Sequence, residues 1–295
     1  MSEPASSPRV NWRDYWIVTK PRVTLLAVFT SFIGMLLVGQ SFPSWRVVIG
    51  GCIGIWLLAG ASFAMNCLLE AAVDAKMKRT DWRPSAQGRL STTQIVVFAL
   101  LLGAIGSAVL IATTNVLTWA LTLATFFGYS FVYTLYLKPN TPQNIVIGGA
   151  AGAMPPVLGW TAVANDISAP PLLLFLIIFA WTPPHFWALA LYRVEDYEKS
   201  GLPMLPVTHG RDFTLLQMLL YTFLLLAVSL LPVAIGMNSW LYAIAAVLLG
   251  LRFVQVVWSL KRDYSDAKSR AVFRFSLTYL SVLFTALLID HYLIV

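Results

Sequence analysis

Apolar runs of roughly twenty residues, each long enough for a helix to cross a bilayer, recur nine times along the chain. They cover 23–38, 47–65, 93–113, 116–137, 143–163, 171–191, 213–235, 239–260 and 271–293. The first is short and is expected to begin upstream, near Tyr15. The connections alternate in kind. Those at 39–46, 114–115, 164–170 and 236–238 are short and nearly uncharged, whereas the others carry the basic residues. The pattern predicts an all-α membrane protein: a short N-terminal cytoplasmic segment over 1–14, then one nine-helix domain over 15–295.

Composition agrees. Of 295 residues, 58% are hydrophobic and 11% charged, with mean hydropathy +0.75; a soluble domain carries about 25% charged residues. Lysine and arginine give the orientation. With the N-terminus cytoplasmic, 19 of the 20 fall on the cytoplasmic side and only Arg46 outside, the bias expected of cytoplasmic loops. The C-terminus is then periplasmic. The net charge of +7 is a topology signal and gives no reason to invoke nucleic acid. Cys52 and Cys67, on one expected helix, are about 22 Å apart and beyond disulfide reach. The first residues show neither an apolar signal core nor a long Arg/Ser-rich transit segment, which favours a bacterial inner membrane.

Two cytoplasmic loops hold the candidate chemistry. In the first, Asn66, Glu70 and Asp74 are spaced by four, so on an α-helix they form one ladder offset by about 40° per step. Lys76, Lys78, Arg79 and Arg83 follow at once. Hard oxygen donors beside cations suit Mg²⁺ together with a substrate phosphate; a solvated helix end with ordinary ion pairs has the same spacing. In the second, Tyr192, Asp196 and Lys199 have helical spacing on an expected extension of the sixth helix. Two acidic helix ends facing each other could hold divalent ions and a diphosphate. No Walker-type glycine cradle is present, so metal, arginine and lysine would bind the diphosphate.

Pro155-Pro156 and Pro183-Pro184 are expected to break the backbone ladder inside membrane helices, which is tolerated where the break faces protein or a cavity. His185 lies beside the second break. It is either a functional group, as an intramembrane histidine generally is, or a histidine bonded to a freed carbonyl. His209 and His291 read as structural or incidental. The helices from Phe213 onward read as lipid-facing scaffold.

These residues resemble the UbiA superfamily of intramembrane prenyltransferases and, within it, the haem O synthase branch. The likeness covers nearly the whole chain. Lys20-Pro21-Arg22-Val23-Thr24-Leu25 matches the opening of its first helix. Asn66, Glu70 and Asp74 with Met77, Arg79-Thr80 and Arg83-Pro84 match its first aspartate-rich motif, with Glu70 at a position more often Asp. Asn144 to Gly149, and Pro155-Pro156 through Gly159-Trp160, match the fifth helix. Trp181-Thr182-Pro183-Pro184-His185-Phe186-Trp187 and Asp196-Tyr197 through Gly201 and Pro203 to Val207 are the most specific matches. Pro139 follows Lys138 where a second basic residue is common.

The resemblance implies a nine-helix bundle around a central cavity open to the cytoplasmic side. It implies transfer of the farnesyl group of farnesyl diphosphate to a vinyl group of haem B with addition of water. Haem A synthase or terminal oxidase subunits become candidate partners. In that reading Mg²⁺ binds through Asn66, Glu70, Asp74 and Asp196. Arg79, Lys138, Lys199 and Arg83 are candidate diphosphate contacts, although Arg83 also reads as a partner for Asp81. His185 would ligate haem iron, touch a propionate or relay a proton. Arg22 would pair with a propionate or act as a positive-inside anchor. Another acceptor, an aromatic acid or a chlorophyllide, is the nearest alternative. A polytopic transporter is the alternative from another class, but transporters place their sites near the midplane, and here the ionisable residues gather at the helix ends.

Overall fold

The computed structural model describes residues 11–294; of the expected N-terminal segment, residues 1–10 lie outside the described residues. The chain starts early, as expected, but its first span is broken. Helix α1 (Trp12–Val18), capped by the Asn11 side chain, meets α2 (Pro21–Leu36) at 52°. Lys20 forms the corner in a left-handed conformation, φ 49°. A residue before proline is disfavoured in the right-handed helical region, so the helix cannot run straight through.

Next come α3 (Trp45–Leu69), the single turn α4 (Ala71–Asp74), α5 (Thr92–Thr113), α6 (Val116–Asn140), α7 (Asn144–Ala164) and α8 (Ala169–Leu191). The short α9 (Val194–Ser200) precedes α10 (Gly210–Ala234), α11 (Trp240–Arg262) and α12 (Asp266–Leu293). Eight of these helices are long and apolar enough to span a bilayer, and the bent α1–α2 pair makes nine. Polar caps set several starts: Ser91 with Gln94 as a capping box on α5, Asn115 on α6 and Ser265 on α12. Asp290, fully buried on α12, accepts from Ser239 N at 2.7 Å, Tyr242 N at 3.1 Å and Asn238 Nδ2 at 3.0 Å. It thereby caps α11 from a neighbouring helix.

The two proline pairs behave differently. Pro155-Pro156 divides α7 after Ala153, whereas α8 continues through Pro183-Pro184 without interruption. The expected break in the sixth span is therefore corrected: the ladder loses two N–H donors there, but packing on both sides holds the helical path. Tyr192 caps the end of α8 and α9 starts as a separate helix, so Asp196 and Lys199 are not on an extension of the sixth helix.

Helix α2 approaches the second half of α7 through two glycines. A Cβ on Gly159 would lie 1.8 Å from the Ser31 carbonyl oxygen, and one on Gly34 would lie 2.3 Å from the Pro156 oxygen. Ser31 Oγ also donates to the Pro155 carbonyl at 2.8 Å. Both obstacles are backbone and cannot rotate away. Gly159→Ala should therefore separate the two helices and destabilise the protein by about 1–3 kcal/mol, the range for overpacking. A melting curve in detergent, compared with Gly152→Ala where nothing lies within 4 Å, checks this.

Candidate active site

Helix alternation puts the C-terminal ends of α3, α6 and α8 on the same side as the N-terminal ends of α5, α7, α10 and α12. On that side α3 and α6 run parallel and are joined by three rungs. Ser62 Oγ meets Ser130 Oγ at 2.9 Å, Asn66 Nδ2 donates to Thr134 Oγ1 at 2.9 Å, and Lys138 Nζ donates to Glu70 Oε1 at 2.5 Å. Every rung joins residues 68 apart. Both partners advance by four residues per rung, and the α6 side of the ladder lies on a π-helical stretch, Gly128–Leu137, a rare form that recurs at functional sites.

The first ladder exists and is buried. Asn66 is 1%, Glu70 6% and Asp74 2% exposed. Helix α3 ends at Leu69 and Glu70 caps it, so Asp74 sits on a separate turn. Asp74 Oδ2 accepts from Arg83 Nη1 at 2.6 Å, with the Arg83 side chain only 12% exposed. That corrects the expected pairing of Arg83 with Asp81. Burial pushes the Glu70 carboxyl up, but the charges of Lys138 and Lys20 outweigh it and hold the group below the ordinary carboxylate range. Asp74 does the same service for Arg83: burial opposes the guanidinium charge, and the neighbouring carboxylate more than restores it.

Lys20 was absent from the sequence-derived site. Its Nζ donates to Asn66 Oδ1 at 2.5 Å and lies 5.2 Å from the Phe63 ring centroid. Its only signal was its place in the Lys20-Pro21-Arg22 match; nothing in the spacing tied it to Asn66, 46 residues on. The buried cluster thus has three cations, Lys20, Arg83 and Lys138, against two carboxylates, Glu70 and Asp74. Phe63 packs edge-on to Tyr129 at 5.3 Å, and Tyr129 stacks on Tyr133 at 5.4 Å. These rings form an aromatic wall beside the cluster.

On the second acidic loop, Tyr197, Leu202 and Met204 are buried, as is Met77 just beyond Asp74. Asp196 is buried, and its ion pair, at 3.5 Å, is with Arg193. Arg79 is half-buried and its charge acts on the Tyr192 phenol together with those of Arg193 and Arg270. Burial, the larger effect, still raises that phenol above its ordinary range. Lys199 and Arg22 are exposed and stand outside the cluster. Among the described residues, no three His, Cys, Asp or Glu side chains converge as a metal site. Glu70 and Asp74 are separate hard-oxygen donors, each using one oxygen in an ion pair.

His185 is buried on α8. Its Nδ1 meets Ser276 Oγ of α12 at 2.6 Å, not a carbonyl freed by the prolines. Ser269 Oγ of α12 donates to the Ala188 carbonyl at 2.8 Å, and Trp181 Nε1 donates to the Ser276 carbonyl at 2.8 Å. Helix α12 is thus a wall of the α8 environment, which corrects its reading as lipid-facing scaffold.

Comparison with known proteins gives consistent results. Residues 27–280 match the model of the UbiA prenyltransferase family. A protoheme IX farnesyltransferase of Polynucleobacter asymbioticus is 61% identical over 291 residues, covering 99% of this chain and 97% of that protein. One from Burkholderia vietnamiensis is 58% identical over 288 residues, covering 98% and 96%. Among solved structures, a UbiA homolog from Archaeoglobus fulgidus bound to GPP and Mg²⁺ has a TM-score of 0.69 at 15% identity, covering 93% of this chain and 99% of that one. That likeness establishes the fold.

Proposed function

Because the chain belongs to the UbiA prenyltransferase family, we propose that it moves the farnesyl group of farnesyl diphosphate onto a vinyl group of haem B. Water adds in the same reaction, and the products are haem O and diphosphate. The relatives named protoheme IX farnesyltransferase, 57–61% identical over nearly the whole chain, support the acceptor. The buried cluster of Lys20, Arg83 and Lys138 around Asn66, Glu70 and Asp74 carries the chemistry.

An excess of positive charge in a buried cluster suits a polyanionic leaving group. Lys138, Arg83 and Lys20 turn from the carboxylates to the diphosphate oxygens, with Arg79 reaching in from the loop and Lys199 at the rim. The central cavity, open to the cytoplasmic side, is the space these side chains vacate. Asn66, Glu70, Asp74 and Asp196 are the oxygen donors for Mg²⁺. Mg²⁺ takes only one or two protein carboxylates and completes its shell with water and phosphate oxygens, so donors that do not form a closed cage fit it. When bound, it supplies charge neutralisation at the departing diphosphate, worth several kcal/mol. Phe63, Tyr129 and Tyr133 keep water from the allylic cation and offer it their ring faces. The terminal vinyl carbon bonds to the farnesyl carbon; water adds to the inner carbon and releases a proton. The site faces the cytoplasm of a bacterial inner membrane, and exposed Arg22 acts there as a positive-inside anchor.

Membranes containing the protein, supplied with farnesyl diphosphate and haem B, should form haem O, resolved by chromatography. Farnesylation of an aromatic acid or a chlorophyllide with no haem O formed would discard the haem acceptor.

A further inference from the structure

The joint between α6 and α7 is short of backbone donors. Pro139 and Pro142 carry no N–H. Pro142 stands four residues after Lys138, where a continuing helix would place the donor for the Lys138 carbonyl. The next N–H along, that of Gln143, goes to Thr141 Oγ1 at 3.2 Å. The side chain of Asn144 supplies what the backbone lacks. Its Nδ2 donates to the Lys138 carbonyl oxygen at 3.3 Å and to that of Thr141 at 2.7 Å. Both oxygens can only accept, so the amide presents its NH₂ edge to them and both hydrogens are spent. Asn144 is fully buried, although Pro139, Asn140 and Gln143 are exposed.

The Lys138 main chain is thus held from two directions. Its N–H donates to the Tyr133 carbonyl at the end of the π-helical stretch, and its C=O accepts from Asn144. Its side chain crosses to α3, where Nζ donates to Glu70 Oε1 at 2.5 Å. A lysine stem is flexible, so the reach of its ammonium is set by where its backbone is anchored. One turn further along α7, Gly148 shares the Asn144 face, and a Cβ there would overlap the Tyr133 ring. The start of α7 therefore touches two residues of the site, gripping the backbone of one and seating the ring of the other.

We infer that Asn144 is a positioning residue for the diphosphate. By holding the Lys138 carbonyl it keeps the Lys138 ammonium level with Glu70, where the oxygens of the leaving group arrive. It acts through Lys138. This inference rests on Lys138 binding the diphosphate, as proposed above.

The test titrates the full-length protein in nanodiscs with farnesyl thiodiphosphate and Mg²⁺. Asn144→Ala should bind this analogue about fivefold more weakly than wild type, the scale of one lost hydrogen bond. In turnover it should raise KM for farnesyl diphosphate and leave KM for haem B unchanged. The same substitution is then made where the pair is absent, in Glu70→Gln with Lys138→Met. There it should weaken binding by less than about twofold, since residues that act through one another are not additive. An equal loss in both backgrounds, a rise in both KM values, or wild-type affinity in Asn144→Ala overturns the inference. Should Asn144→Ala not fold, Asn144→Ser, which keeps one donor, goes through the same cycle. Wild-type affinity in the variant lacking the pair defeats the diphosphate role of Lys138 itself, and this inference with it.

Discussion

Asp74→Asn should lower the turnover of farnesyl transfer by about 10²–10³-fold while leaving a folded protein. Asparagine keeps the size of the side chain and an oxygen for Arg83, whose Nη1 sits 2.6 Å from Asp74 Oδ2. What it removes is the negative charge that, on the proposed mechanism, would help hold Mg²⁺ at the site. Losing one preorganised electrostatic contact to a leaving group costs about 3–4 kcal/mol in the transition state. Alanine is the poorer probe, because it strands a guanidinium that is only 12% exposed, and an unpartnered buried charge is itself strongly destabilising. Steady-state rates at several Mg²⁺ concentrations, with a melting curve on the same preparation, give the answer. A metal ligand predicts a reduced rate that recovers in part as Mg²⁺ is raised. A reduced rate indifferent to Mg²⁺ assigns Asp74 to positioning Arg83. Full activity in Asp74→Asn and in Asp196→Asn would remove both acidic loops from the mechanism.

The parts of this site differ in how far the sequence alone could place them. The nine spans were legible because hydropathy over twenty residues is a strong signal, and the Asn66–Glu70–Asp74 ladder because helical spacing is local. The partners were not, because they are set by which helices lie side by side. Lys138 reaches Glu70 only because α6 runs parallel to α3 at a constant offset of 68. The α6 side of that contact lies on a π-helical stretch with no signature in the apolar pattern. A trace existed: Ser62, Asn66 and Glu70 match Ser130, Thr134 and Lys138 as polar positions every fourth residue. Lys20 was hidden because a left-handed corner before Pro21 turns its side chain toward α3. His185 stood out as an intramembrane histidine, but Ser276, whose hydroxyl it meets at 2.6 Å, is 91 residues away and looked like an ordinary serine in a lipid-facing helix.

The Glu70–Lys138 pair separates stability from chemistry. Glu70→Ala should cost about 3–5 kcal/mol, because it leaves a buried ammonium whose side chain is 14% exposed without its carboxylate. Replacing both, as Glu70→Gln with Lys138→Met, removes both charges at similar volume, and such replacements of buried pairs are often neutral or stabilising. The double variant should therefore melt within about 1 kcal/mol of wild type and still transfer no farnesyl. The pH dependence distinguishes the variants too. The folded protein holds the Glu70 carboxyl below its ordinary range, so its contribution is complete above the unfolded pKa and is lost as pH falls through the lowered value. Both variants should lose that part of the acid sensitivity. A double variant as unstable as the single would make the pair a structural rivet. A stable double variant that still formed haem O would move the diphosphate site away from α3 and α6. Stability retained with activity gone is the outcome expected if two charges, costly to bury in a membrane protein, are kept there for the leaving group.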